Sequence, residues 1–144
     1  MIYAWTDDLT TGNRIIDAEH KQLFLAVESL HKACSDGLSE GTIERTMRFM
    51  INYMRTHFAH EERMQYNSRY PNREEHTRWH REYYENCLTA STKLKTSDEL
   101  TSLTILNLLI ASLVTHIKTE DARLADHVKD FAKAHPNMNM RGIF

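Results

Sequence analysis

The chain has 144 residues, with 18 Lys and Arg against 20 Asp and Glu and a formal net charge of −2. Both signs are interspersed and no basic tract appears, so nucleic-acid and anionic-membrane binding lack electrostatic support. Only 4 glycines and 2 prolines, beside abundant Leu, Met, Ala, Glu, Lys and Arg, favour an all-α protein of single-domain size.

Residues 1–16 read as an N-terminal arm without sustained periodicity. The stretch from Met1 to Asp8 has neither a basic nor an apolar leader segment, so no signal peptide is expected. Gly12-Asn13 signals a turn, and Trp5, Ile15 and Ile16 are apolar enough to hold the arm on the body. Asp17 is placed to cap a first helix ending near Ala33 or Ser35, with Leu23, Val27 and Leu30 on one stripe beside His20 and Phe24, and Gly37 as its stop.

A second helix is expected from Gly41-Thr42 to about Tyr66, with Ile43, Met47, Met50, Met54, His57 and Glu61 recurring on one face. Residues 67–72 form a loop. The third helix, 73–94, carries His76, His80, Tyr83 and Cys87 on its inner face. After a break at 95–98, Ser97 or Asp98 caps a fourth helix through about Lys118. This helix is apolar nearly all round, as expected of the most buried member of a bundle. Its most apolar stretch, Leu103 to Val114, is too short to span a bilayer and contains Thr104, Asn107 and Ser112, which points to a cytoplasmic protein. A short helix over about 120–134 ends before Pro136.

Four long helices on short loops predict an up-down-up-down antiparallel four-helix bundle over about 17–118, flanked by the N-terminal arm and the short C-terminal helix, as one domain over 1–144. Cys34 and Cys87 form no CxxC motif and read as buried free thiols, and the methionine row reads as core.

Nine histidines are the outlier. His57/Glu61 and His76/His80 are each four positions apart, so each pair shares a helix face. In an antiparallel bundle these pairs meet at one end, where His20, near the start of helix one, also meets His116, near the end of helix four. Asp121 lies five residues after His116, about 140° round a straight α-helix. It faces the same point if the helix breaks near Lys118–Thr119, with Thr119 capping the next one. Otherwise it is an exposed acid favouring a helix dipole.

Five imidazoles with Glu61 and Asp121 exceed the four ligands of one zinc ion and suit two adjacent octahedral irons with bridging carboxylates. A ferritin-like centre needs paired Glu-x-x-His motifs, and only Glu28-Ser-Leu-His31 is present. A His-Glu-x-x-His protease motif is also missing, since His60-Glu61 lacks its second histidine. His31, His60, His127 and His135 match no ligand position and read as surface or packing residues.

These segments resemble the hemerythrin family, in particular its single-domain bacterial members. The likeness rests on Trp5 with Ile16-Asp17-Ala-Glu-His20-Lys-Gln-Leu23, on His57-Phe-Ala-His-Glu61-Glu62-Arg-Met64, on His76-Thr-Arg-Trp-His80 and on His116-Ile-Lys-Thr-Glu-Asp121. It covers about residues 3–132. The resemblance implies one iron held by His76, His80 and His116 and a second, with an open position, held by His20 and His57. Glu61, Asp121 and an oxo or hydroxo group would bridge them. It further implies reversible, non-enzymatic O2 binding for transport or storage, with O2 held as hydroperoxide on the open iron. Phe24, Phe58, Leu113 and Ile117, neighbours of the ligands in sequence or one turn away, are candidates for the wall of the O2 pocket. An O2-accepting protein or a reductase would be the partner. A redox sensor acting through a partner, or peroxide or nitric oxide chemistry at the same site, are the alternative functions.

Overall fold

The computed structural model describes residues 5–37, 40–94 and 98–138. A short 3-10 turn, Asp7–Leu9, precedes α1 (Arg14–Ser35), α2 (Glu40–Asn67), α3 (Arg73–Leu94) and α4 (Glu99–His116); a π-helical turn over Ile117–Asp121 then runs directly into α5 (Ala122–Ala134). Each long helix packs on its neighbours in sequence, and α4 closes the ring against α1. The result is the expected all-α four-helix bundle. Its core interleaves Leu23, Val27 and Leu30 with Met47, Met50 and Met54, and with Tyr83, Cys87, Leu106, Ile110 and Leu113. Cys34 and Cys87 are buried free thiols. A second cluster, built from Ile16, Met64, Tyr70, Leu124, Val128 and Phe131, packs α5 over the start of α1 and the end of α2. The arm is held by Trp5, half-buried and edge-on to Phe24 at 5.8 Å.

Helix ends follow local hydrogen bonding, and here one expectation is corrected. Asn13, not Asp17, caps α1: its side-chain oxygen accepts the N–H groups of Ile15 and Ile16, both at 3.0 Å. The helix therefore starts at Arg14, inside the segment expected to be an arm. Gly12, at φ +92°, makes the turn into it. Asp17, one turn inside, reaches back to accept the N–H and hydroxyl of Thr11, each at 2.8 Å. Asp98 caps α4 by accepting the N–H of Thr101 at 2.7 Å, and Ser97 lies outside the described residues.

The end of α2 is a Schellman turn: Tyr70 N–H donates to the Gln65 carbonyl at 2.9 Å, and Arg69 N–H to that of Tyr66 at 3.2 Å. The left-handed position is taken by Arg69, at φ 57°, where glycine is usual.

Helix α4 departs from expectation. It buries Ser102, Leu106, Ile110, Leu113 and His116, but its outer face is open, with Leu100 76% and Leu108 69% exposed. Uniform apolarity here reflects an uncharged surface, not complete burial. The helical run Glu99–Ala134 is long and apolar enough, by length and composition, to cross a membrane. It exceeds the stretch Leu103 to Val114 because α4, the π-turn and α5 are continuous.

Candidate metal centre

Each bundle helix delivers ligand-type side chains to one end of the ring: His20 from the second turn of α1, His57 and Glu61 from the last turns of α2, His76 and His80 from the first turns of α3, and His116 from the end of α4. All are buried, and Asp121, at the close of the π-turn, is 1% exposed.

The position of Asp121 corrects the expected helix break. The chain stays helical throughout, and Thr119 caps nothing; its hydroxyl donates to the Thr115 carbonyl at 2.8 Å. A π-turn closes i→i+5 hydrogen bonds and so fits one more residue into the turn. Asp121, five residues after His116, thereby stands over it as an i+4 residue would in an α-helix.

The seven side chains converge. Glu61 Oε1 lies 3.0 Å from His80 Nε2 and 3.5 Å from His76 Nε2, while its Oε2 lies 3.3 Å from His57 Nε2 and 3.8 Å from His20 Nε2. Asp121 Oδ1 is 3.1 Å from His76 Nε2 and 3.0 Å from His116 Nε2, and its Oδ2 is 2.9 Å from His20 Nε2. Each carboxylate thus offers one oxygen to a group of His76, His80 and His116, and the other to a group on the His20/His57 side.

These short separations are mostly not hydrogen bonds. His20 Nε2, His57 Nε2, His80 Nε2, Asp121 Oδ1 and both oxygens of Glu61 are buried without a hydrogen-bond partner. Atoms this close that do not point at one another point at shared centres. Metal–ligand bonds of about 2.1 Å place neighbouring donors of an octahedron about 3.0 Å apart, which matches the shorter separations here. Two groups of potential cation ligands result, one of Glu61, His76, His80, His116 and Asp121 and one of His20, His57, Glu61 and Asp121, with the carboxylates common to both. The donor set fits a pair of metal ions.

Electrostatics agree. Burial opposes charge on His57, but the charge of Glu61, a hydrogen bond that the imidazole donates to Glu19 and the charge of Asp121 outweigh it, and the imidazole is pushed up to about 10. His76, likewise opposed by burial but facing the carboxylates of Asp121 and Glu61, rises to about 9. Burial dominates at His116 and lowers it. Burial and mutual repulsion oppose ionisation of Glu61 and Asp121, yet the surrounding imidazoles hold both well below the usual carboxylate range. Without metal, protons on His57 and His76 would supply the positive charge that offsets the two carboxylates.

Three neighbours escape the sequence reading. Glu19 spans two imidazoles, with Oε1 3.2 Å from His57 Nδ1 and Oε2 2.6 Å from His60 Nδ1. His60 is therefore tied to the centre through Glu19, and is not a plain surface histidine. Glu62 Oε2 lies 3.4 Å from His80 Nδ1. Such carboxylates fix the ring and turn Nε2 inward. Trp79 stacks on His116, with ring centroids 3.6 Å apart and planes 11° from parallel. The only signals for Glu19 and Glu62 are acids adjacent to His20 and Glu61, too common to separate from exposed charge.

Phe58 stacks on His80 at 3.8 Å, and Phe24, Leu113 and Ile117 are buried in the main core. Leu113 also lines a small internal cavity with Leu23, Met54 and Ile110. His127 Nε2 is 2.7 Å from the Ser68 carbonyl and ties α5 to the end of α2, a packing role as expected.

A family model described as the hemerythrin HHE cation binding domain matches residues 11–128. The chain belongs to the hemerythrin family. It is 25% identical over 138 residues to a bacteriohemerythrin of Stenotrophomonas maltophilia, covering 93% of this chain and 89% of the relative. It is 26% identical over 125 residues to a bacteriohemerythrin of Pseudomonas aeruginosa, covering 87% and 80%. The buried His, Glu and Asp cluster fits the cation binding that the family description names.

Proposed function

We propose that this hemerythrin is a single-domain, cytoplasmic carrier or store that binds O2 reversibly at a carboxylate-bridged pair of non-haem irons. His76, His80 and His116 would hold one iron and His20 and His57 the other, with Glu61, Asp121 and a solvent-derived oxo or hydroxo group bridging. The observation that carries this reading is the division of each carboxylate's two oxygens between the two imidazole groups. The two groups differ by one histidine, which leaves the His20/His57 side one ligand short and so able to accept a small molecule. When bound, the iron pair supplies the electrons that make O2 binding possible.

The chain's own residues make that binding reversible. Imidazoles are neutral donors, so the site carries less negative charge than a carboxylate-rich one, which disfavours overoxidation. The walls exclude water: Phe58, Leu113 and Ile117 are 4%, 5% and 0% exposed, and a dry pocket limits proton-driven loss of the bound molecule. Phe24 belongs to the same wall on the α1 side.

An anaerobic-to-aerobic optical titration of iron-reconstituted protein tests the reading, with iron counted per chain. Reversible colour at two irons per chain is the expected result. Immediate, irreversible oxidation would instead place the chain with sensors or peroxide-handling proteins.

A further inference from the structure

Glu61, Gln65 and Ser68 follow one another at i, i+4 and i+7 at the end of α2, so they lie along one face. Each is 0% exposed. The buried stripe that carries the ligands therefore stays polar beyond them, toward the turn into α3. Neither the side-chain Nε2 nor the Oε1 of Gln65 has a hydrogen bond within the protein, and the Ser68 hydroxyl has none. Leaving such groups buried and unbonded is destabilising.

Gln65 adjoins the metal centre on one side and the surface on the other. Its Cβ lies one helical turn from that of Glu61, about 5–6 Å away. With Arg69, Tyr70, Arg73, Glu74 and Glu75 it lines a surface hollow of about 740 Å3. Tyr70 in turn meets the imidazole of His76 edge-on, with ring centroids 6.3 Å apart.

We propose that Gln65 and Ser68 hold ordered water that links this hollow to Glu61, and that this water is the entry by which solvent protons reach the metal centre. The inference rests on the di-iron reading above. The chemistry of the orphaned atoms selects the occupant. An amide offers donors and an acceptor, a hydroxyl offers both, and neither carries charge. A matching molecule is small, neutral and able to donate and accept, which describes water. A buried water makes about three hydrogen bonds to such atoms. The hollow itself favours no ion, because Arg69 and Arg73 are balanced by Glu74 and Glu75.

The other walls of the centre, Phe58, Leu113 and Ile117, are apolar and hold no water. Water at Gln65 therefore governs how long bound O2 lasts, not whether it binds. O2 is lost as hydrogen peroxide when it keeps two electrons from the iron pair and takes two protons from solvent. Both irons are left ferric. Each water passes one proton inward and receives another from outside, so Gln65 and Ser68 are unchanged.

The test has two parts. The chain has only two glutamines, Gln22 and Gln65, so isotope-labelled glutamine in the full chain without iron resolves the Gln65 amide by nuclear magnetic resonance. Its amide protons should cross-relax with long-lived water, and no such water would overturn the site. Iron-loaded wild type, Gln65→Met, Gln65→Ser and Ser68→Ala are then oxygenated, and iron content, O2 affinity and peroxide release are followed. Peroxide release should be several-fold slower in Gln65→Met and slowed less in Ser68→Ala, at unchanged O2 affinity. Gln65→Ser, which leaves a hydroxyl and room for water, should release it at least as fast as wild type. Equal release from Gln65→Met at wild-type iron content would overturn proton entry at this site. Wild-type protein that takes up no iron would overturn the di-iron reading and proton entry with it, while the water site stands or falls on the resonance result.

Discussion

Glu19 places one carboxylate between a proposed metal ligand and a surface imidazole, His57 and His60. Replacing it by Gln keeps the volume but removes the charge that orients and polarises His57. Metal affinity should fall by roughly 10- to 100-fold with the bundle intact, read by competition with a chromophoric chelator. Glu62→Gln should cost less, because its contact to His80 is longer, at 3.4 Å, and 38% of its side chain is exposed. Glu61→Gln and Asp121→Asn act on the two carboxylates proposed to bridge. Each should uncouple the two ions while far-ultraviolet dichroism stays helical, and wild-type O2 spectra from either would remove the bridging assignment. The convergence of the candidate ligands was legible because i,i+4 pairs declare a shared face from sequence alone. Glu19 and Glu62 were not, because their role depends on how α1 and α3 are rotated toward α2, a tertiary angle that no local spacing encodes.

At the scale of the element, the π-turn decides where Asp121 points. Spacing from His116 left a break and an exposed acid open; the structure shows a third solution, one residue accommodated without interrupting the helix. Deleting Thr119 should therefore let α4 and α5 join as an uninterrupted α-helix, with the Asp four residues after His116 and metal loading retained. Deleting Lys118 as well should turn the carboxylate by about 100° and abolish binding of a second ion, measured as metal per chain. The loop 67–72 was legible as a loop, but its left-handed residue was not, since arginine carries no such signal. Arg69→Gly should raise stability by roughly 0.5–1 kcal/mol in chemical denaturation, because glycine avoids the steric cost at φ 57° but loses more entropy on folding. The bundle itself was readable from periodicity and short loops. The exposure of α4 was not, because hydropathy cannot distinguish a helix surrounded by core from one whose outer face merely lacks charge.

For the whole molecule, the metal-free site is an ionic cluster with a defined pH window. Imidazoles raised in the folded state, His57 to about 10 and His76 to about 9, stabilise it fully below their unfolded value near 6.5 and lose that contribution as pH rises through the folded values. Glu61 and Asp121, held low, contribute fully above their unfolded values of 4.5 and 3.8 and lose it in acid. The metal-free protein should thus melt highest between about pH 5 and 6.5 and progressively lower toward pH 10. Loading must displace those imidazole protons. Near neutrality, uptake of metal should release the protons of His57 and His76 and at least one more from the water that forms the bridge, about three per chain, measurable by calorimetry in buffers of different ionisation enthalpy. Release of about one proton would show that the imidazoles are already neutral.

Asp121 is also the residue from which α5 departs. Ions gripped by this carboxylate and by Glu61 would rivet α5, which otherwise leans on a small apolar cluster, to the end of α2. Backbone amides over 122–134 should then exchange with deuterium slowly in the loaded protein and much faster after chelation, while those in the middle of α1 and α2 change little. Loss of metal would be felt first as a loosened latch on the outside of the bundle, long before the bundle itself gives way.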